Sequence, residues 1–225
     1  MLEHLAKTCI ITGFTGSGKS EFAVNLALSL RKHQDARVTI ADLDVVNPYF
    51  RSREKTEYLH AAGIDVFGGA QGNNTGQDIP HLDYGFVSRI SAGERVIVDL
   101  AGGKIGLNTL ANLYSRLQVY EFLAVLNTYR PQTCDAGKIL CFINDLNAAS
   151  RIGLTGLVNN SHMLRETAPS HILDSQKVIL SVSESTGLPL RYTMLARQIY
   201  EQINTHIVSD EVLIFDQLQL RESWQ

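Results

Sequence analysis

Eight residues near the start of the chain, Gly13-Phe14-Thr15-Gly16-Ser17-Gly18-Lys19-Ser20, set glycines, a lysine and a hydroxyl at the spacing G-x-x-x-x-G-K-[ST]. Gly13, Gly16 and Gly18 let the backbone take conformations that a Cβ would oppose. The loop amides, those of Thr15 and Ser17 included, can then converge on phosphate oxygens. A helix that opens at Lys19 adds its positive end to the same point. Lys19 supplies a point charge for the β- and γ-phosphates of a nucleotide, and the Ser20 hydroxyl is placed for Mg2+. The apolar run Cys9-Ile10-Ile11 before the loop and the amphipathic stretch after it are the strand and helix that this chemistry needs.

Carboxylates must complete such a site. Val96-Ile97-Val98-Asp99-Leu100-Ala101-Gly102-Gly103 offers Asp99 after a buried strand, where open α/β sheets bind ligands. Its expected role is in the Mg2+ shell, through a water or by accepting a proton from a ligand water. Gly102 and Gly103 would let the chain move with the γ-phosphate. A strand-end Asp capping the next helix is the structural alternative. Ala41-Asp42-Leu43-Asp44 gives two carboxylates at i and i+2, which point the same way on an extended chain. One could orient an attacking water while the other supports the metal, although Asp is also common where strand turns into loop. Asn47-Pro48 then marks a turn.

The elements that position these residues follow from short β-branched runs at 8–12, 37–43, 64–67, 95–100, 121–127, 154–159 and 177–182. Helical spacing falls between them, at 20–32, 49–62, 105–117, 133–150 and 190–203. Strand alternating with helix predicts an α/β fold, a mainly parallel sheet of about seven strands with helices on both faces. No repeat or linker divides the chain, so residues 1–225 read as a single nucleotide-binding domain. The polar, glycine-rich stretch from Gly68 to Pro80 is long for a connection and is a candidate switch or partner loop. After residue 203 a short β-branched segment, Val212 to Phe215, precedes a polar tail whose Trp224 fits tail packing or an interface.

Composition narrows the class. Twenty Lys and Arg against 23 Asp and Glu give a net charge of −3, without the basic excess of a protein that coats nucleic acid or anionic membranes. No apolar run is long enough to span a bilayer, and the N-terminal residues lack the pattern of a signal peptide. Cys9, Cys134 and Cys141 form no CxxC pair and read as small core residues, in a reducing, cytoplasmic setting. The seven histidines are dispersed and form no metal-binding tract.

GFTGSGKS, ADLDVVNP and VIVDLAGG, each following a strand, resemble the motifs of the MinD/ParA-like branch of P-loop ATPases, the SIMIBI class. The resemblance covers roughly the first two-thirds of the chain. It implies that Asp44 polarises the attacking water and that Asp99 belongs to the Mg2+ shell. With the residue readings above, the catalytic set is Lys19, Asp44 and Asp42, and the metal set is Ser20, Asp99 and Asp42. An Asn closing a later strand reads adenine in that family, which corresponds to Asn159 here, with Asn160 the neighbouring alternative. The sequence departs from the family at Phe14, where a signature lysine normally reaches across a nucleotide-sandwich homodimer. Lys104, Arg51, Arg53 and Arg130 are the candidate substitute cations, although each also fits a solvated surface charge.

The Asn-Lys-x-Asp tetrapeptide of guanine-specific P-loop proteins is missing, which favours ATP with Mg2+ over GTP. The expected function is an ATP-driven switch acting on a protein partner, an ATP hydrolase of slow turnover. The alternative is a small-molecule kinase with Asp44 as base, although no arginine-rich lid motif is present.

Overall fold

The computed structural model describes residues 5–33, 37–44, 55–68 and 85–220. Eight strands lie in one sheet: β1 (Thr8–Gly13), β2 (Val38–Leu43), β3 (Ile64–Gly68), β4 (Arg95–Leu100), β5 (Tyr120–Leu126), β6 (Gly156–Asn159), β7 (Leu190–Ala196) and β8 (Glu211–Phe215). Their order is β3-β2-β4-β1-β5-β6-β7-β8, and every pairing is parallel. All strands therefore end at the same edge, so the loops that follow them meet there.

The helices are α1 (Lys19–His33), α2 (Thr56–Ala61), α3 (Phe86–Ser91), α4 (Lys104–Leu110), α5 (Ala136–Ala149), α6 (Pro169–Thr186) and α7 (Arg197–Ile203). They cover both faces because the strands are apolar on both. In β1, Cys9 and Ile11 enter a core with Phe22 and Leu26 of α1 and Leu59 of α2. Ile10 between them enters the opposite core, with Phe86 of α3, Leu107 of α4, Phe142 of α5 and Ile179 of α6. This period of two is what a strand buried on both sides requires. Truncating a fully buried side chain such as Phe22 to alanine costs about 3–5 kcal/mol of stability.

The sheet agrees with the sequence expectation in class, and differs in three places. The β-branched run 177–182 lies inside α6 and not in a strand. Pro169 fits the first turn of that helix, Gly187 closes it with a left-handed φ of 73°, and Ile172, Ile179 and Val182 form its buried face. Residues 190–203, expected to be helical throughout, form strand β7 and then α7; the apolar sequence of 190–196 has no polar face to offer a helix. The segment at 212–215 is strand β8, so the sheet gains two strands at its C-terminal side. Cys9 is buried as expected, but Cys134 and Cys141 are exposed. Cys134 precedes the Asp135 cap of α5, and Cys141 lies outside that helix's buried face of Ile139, Phe142, Ile143 and Leu146. Asn47, Pro48, residues 69–80, Arg51, Arg53 and Trp224 lie outside the described residues.

Candidate functional site

The G-x-x-x-x-G-K-S loop leaves the end of β1 and opens α1, the central strand of the sheet feeding the helix. Gly16 and Gly18 have φ of +82° and +83°, left-handed values that L side chains seldom take. Ser17 N–H donates to the Phe14 carbonyl at 3.1 Å, so the apex of the loop is a tight turn. Phe14 packs its ring on Phe142 of α5, with centroids 4.5 Å apart, and anchors the loop in the core. An apolar contact thus occupies the position at which the ATPases that the motifs resemble carry a lysine.

Lys19 is buried and points back over the loop, where its Nζ donates to the Phe14 carbonyl at 3.3 Å. Burial lowers its pKa, while Asp99 and Asp44 pull it back up. The sheet register explains that company. Asp42 of β2 and Asp99 of β4 are direct parallel neighbours, and Asp99 also pairs with Ile11 of β1. Both carboxylates are fully buried, and Asp44 is nearly so, its amide donating to Asp42 Oδ1 at 3.1 Å. Burial and the Asp42 charge raise Asp99 to about 7, against the opposing pull of Lys19 and a hydrogen bond from the Ser20 hydroxyl. The structure therefore brings Lys19, Ser20, Asp42, Asp44 and Asp99 together at one edge.

The β4–α4 connection closes on the same loop. A Cβ at Gly102 would stand 3.1 Å from the Gly13 carbonyl and 3.2 Å from the Thr15 amide, so a side chain here would crowd the loop backbone. Of the candidate cations, Lys104 is well exposed and pairs with Asp145 at 3.4 Å. Arg130, in the loop after β5, donates from Nε to the Gly16 carbonyl at 3.0 Å. The two asparagines after β6 differ. Asn159 is fully buried and bonds to Ser175 of α6 and to the Ser161 amide. Asn160 donates to the Ser17 carbonyl at 2.8 Å.

Beside the loop lies a cavity of about 500 Å3 at the ends of β6, β7 and β8. Asn160, His162 and Leu164 form one side, Met194 and Phe215 form the others, and Glu21 of α1 joins it to the phosphate loop. The Glu21 carboxylate is buried and accepts the amides of Gln219 (2.6 Å) and Leu220 (2.9 Å), pinning the C-terminal segment beside the cavity. Asp216, also on the wall, is held by Arg197. Nothing in the spacing of these residues announces the cavity, since its walls come from four separate segments.

The residues fit a nucleotide and a divalent cation. The Ser17 hydroxyl is buried with no hydrogen-bond partner, and three buried carboxylates share the edge with Lys19. Among the described residues no three His, Cys, Asp or Glu side chains are grouped to hold a metal by themselves. A cation here would depend on Ser20 and ligand oxygens as well, as P-loop Mg2+ does.

No protein-family model and no curated protein matches the chain. Solved structures do. The signal recognition particle receptor FtsY from Elizabethkingia anophelis, in complex with GDP, is 14% identical with a TM-score of 0.53, over 86% of this chain and 58% of that one. Chloroplast FtsY from Physcomitrella patens is 17% identical with a TM-score of 0.53, over 85% and 58%. The cell division protein FtsY from Thermotoga maritima is 17% identical with a TM-score of 0.54, over 86% and 63%. The chain thus spans about three-fifths of the length of these proteins, and the likeness shows a shared P-loop α/β fold. None of the described helices is long and apolar enough to cross a membrane.

Proposed function

We propose that residues 1–225 form one nucleotide-binding domain that takes a nucleoside triphosphate with Mg2+ and acts as a slow, hydrolysing switch on a protein partner. The observation that carries this reading is the meeting of Lys19, Ser20 and the carboxylates of Asp42, Asp44 and Asp99 beside the glycine loop. The amides of Gly18 and Lys19 hold the phosphates, the Ser17 amide being engaged by the Phe14 carbonyl within the loop, and Lys19 neutralises them. Mg2+ when bound supplies charge neutralisation for the phosphate oxygens, with Ser20, Asp99 and Asp42 as its holders. Asp44, at the mouth of this group, orients the attacking water. The Gly102–Gly103 segment lies against Thr15 and is the element whose position would report the outer phosphate.

The base and sugar occupy the cavity next to Glu21 and Asn160. ATP is the nucleotide in this reading. The chain lacks Asn-Lys-x-Asp, and the cavity's Asp216, a carboxylate that could bond guanine, is taken by Arg197. Asn159, the asparagine expected to read the base, is instead committed to Ser175 and to the Ser161 amide. Phe14 gives no support to a sandwich homodimer, and a different protein partner is the simpler reading.

Titration with fluorescent ATP and GTP analogues tests the core of this. The wild type should bind ATP with Mg2+, and Lys19→Ala should weaken binding by at least about 100-fold, the loss of a buried charge-assisted contact to phosphate. Retained affinity in Lys19→Ala would overturn the loop assignment, and tighter GTP binding would overturn the base assignment alone. Incubation of labelled ATP with metabolite extract separates the switch from the kinase: a phosphorylated small molecule would replace the switch reading.

A further inference from the structure

Three carbonyls of the phosphate loop point away from the ligand side and are gripped by side chains from elsewhere. Arg130 Nε–H donates to Gly16 O at 3.0 Å. Asn160 Nδ2 donates to Ser17 O at 2.8 Å and stands 3.4 Å from Gly18 O. Carbonyls only accept, so the Asn160 amide must present its NH2 here. We propose that Arg130 and Asn160 are positioning residues, two external struts that hold the loop in its phosphate-binding curvature before any ligand arrives. This rests on the nucleotide reading above and adds the residues that preorganise the site.

The argument begins with the peptide unit. In a trans peptide the C=O and the following N–H point in opposite directions. Pulling Ser17 O outward toward Asn160 therefore turns Gly18 N–H inward, to the concave side of the loop. Pulling Gly16 O toward Arg130 likewise fixes the Ser17 amide, which closes the apex turn on Phe14 O at 3.1 Å. The glycines make room for the struts. A Cβ on Gly18 would collide with Asn160 Nδ2, and one on Gly16 would stand 3.3 Å from Arg130 Nε. Glycine at these positions thus serves the outer, protein side of the loop as well as the ligand side.

The struts have fixed bases. Asn127, fully buried at the end of β5, accepts from the amides of Tyr129 (3.0 Å) and His162 (3.4 Å) and donates to the His162 carbonyl at 3.2 Å. Its own carbonyl accepts the Thr133 hydroxyl at 2.7 Å. Ser161 Oγ accepts from the Thr128 amide at 3.0 Å. The loops after β5 and β6 are thereby laced to each other, and each sends one side chain to the phosphate loop. Asn160 also walls the cavity, so an occupant there bears on the same strut. A donor held by such a network keeps its aim when the loop is empty, which is how preorganisation reduces the cost of binding.

The test uses Arg130→Gln, Arg130→Lys, Asn160→Ala and the double variant Arg130→Gln/Asn160→Ala. Affinity for Mg–ATP, Mg–GTP and inorganic triphosphate is measured alongside amide exchange of Ser17 and Gly18 in the ligand-free protein. Each single variant should lose about five- to tenfold in affinity, the value of one such hydrogen bond. The factor should be the same for every triphosphate that the wild type binds. The double variant should lose less than the product, because both struts act on one loop. Ser17 amide exchange should quicken by about the same factor while unfolding stays a single cooperative transition. Full recovery in Arg130→Lys would make Arg130 a charge on phosphate and overturn its assignment. A loss at Asn160 confined to ATP would make it a base reader and overturn that assignment. Unchanged Ser17 exchange in both single variants overturns the proposal even if no ligand binds, whereas a wild type that binds no triphosphate while exchange responds counts against the nucleotide reading alone.

Discussion

Two charge groups, each built on a buried carboxylate, sit at opposite edges of the same sheet, and they are built differently. At the amino edge, Glu121 at the start of β5 receives Arg191 Nη2 at 2.7 Å, while Arg191 Nη1 bonds Asp210 at 2.8 Å. At the carboxyl edge, Asp99 and Asp44 act on Lys19, and Asp42 stands beside Asp99. Each group arises from register: Glu121 is beside Cys9, and Asp99 is beside Asp42. At the amino edge one guanidinium bridges two carboxylates, and the second of them, Asp210, is half exposed, so water shares the remaining charge. The carboxyl-edge group is enclosed and holds more anion than its lysine offsets; burial, and after it the Asp42 charge, push Asp99 up to about 7. Buried charge is tolerated when it is paired, so a surplus left at a ligand-facing edge marks a place that recruits cations.

The largest effect expected from this contrast is in Asp99→Asn. The neutral amide keeps the shape of the site and removes the charge that Mg2+ would offset. The gain in triphosphate affinity on adding Mg2+ should fall by about 10–100-fold. Stability of the nucleotide-free protein at pH 8 should be equal or higher, because a repelled carboxylate is gone. Calorimetric titration with and without Mg2+, and urea unfolding, read the two halves. An unaltered Mg2+ response would place the cation elsewhere and remove the distinction between the two edges.

Much of the carboxyl edge was legible in the sequence because its chemistry is local. Gly13 to Ser20 is contiguous, and Asp42, Asp44 and Asp99 each close an apolar run, so strand ends could be read one at a time. The parallel sheet followed from the same alternation. One expected strand is a helix, one strand was hidden and one was seen only as a β-branched segment, each for a physical reason. Residues 177–182 are β-branched, but tertiary packing of Ile179 and Val182 against the opposite core outweighs local propensity. Residues 190–196 and 211–215 are short and apolar, and such runs do not declare strand or helix by periodicity. The cavity was not legible, and Arg130 and Asn160 stood out in the sequence only for other roles, a substitute cation and a base reader. Arg130 lies 114 residues from Gly16, and Asn160 lies 143 from Ser17, so only the folded register brings them together.

A second way to sharpen the comparison is pH. The folded-state pKa of Asp99, near 7, stands above its ordinary 3.8. Between those values the native state binds the proton more tightly than the unfolded chain does. This contribution to stability is therefore complete at the acid end and is lost as pH rises through 7. Mg2+ must displace the same proton, so its affinity should fall by up to about tenfold per pH unit below 7 and level off above it. The difference between wild type and Asp99→Asn, in urea unfolding and in Mg2+ titration from pH 5 to 8.5, isolates this group from the rest. A flat difference would mean that Asp99 is ionised throughout and that Lys19 balances the site after all.

The smallest effect belongs to the amino edge. Glu121→Gln keeps the side-chain shape and removes the charge that Arg191 answers. Arg191 retains Asp210 and contact with solvent, since its side chain is 29% exposed. The cost should therefore stay near 1–2 kcal/mol, below that of breaking a fully enclosed pair. Glu121 also helps burial to hold the Cys9 thiol well above its ordinary pKa, and Cys9 belongs to the strand that leads into the phosphate loop. If the amino edge is purely structural, urea unfolding should register the loss while triphosphate affinity and its Mg2+ dependence stay at wild-type values. If nucleotide affinity falls instead, strand β1 transmits strain along its length, and the two edges form one electrostatic unit.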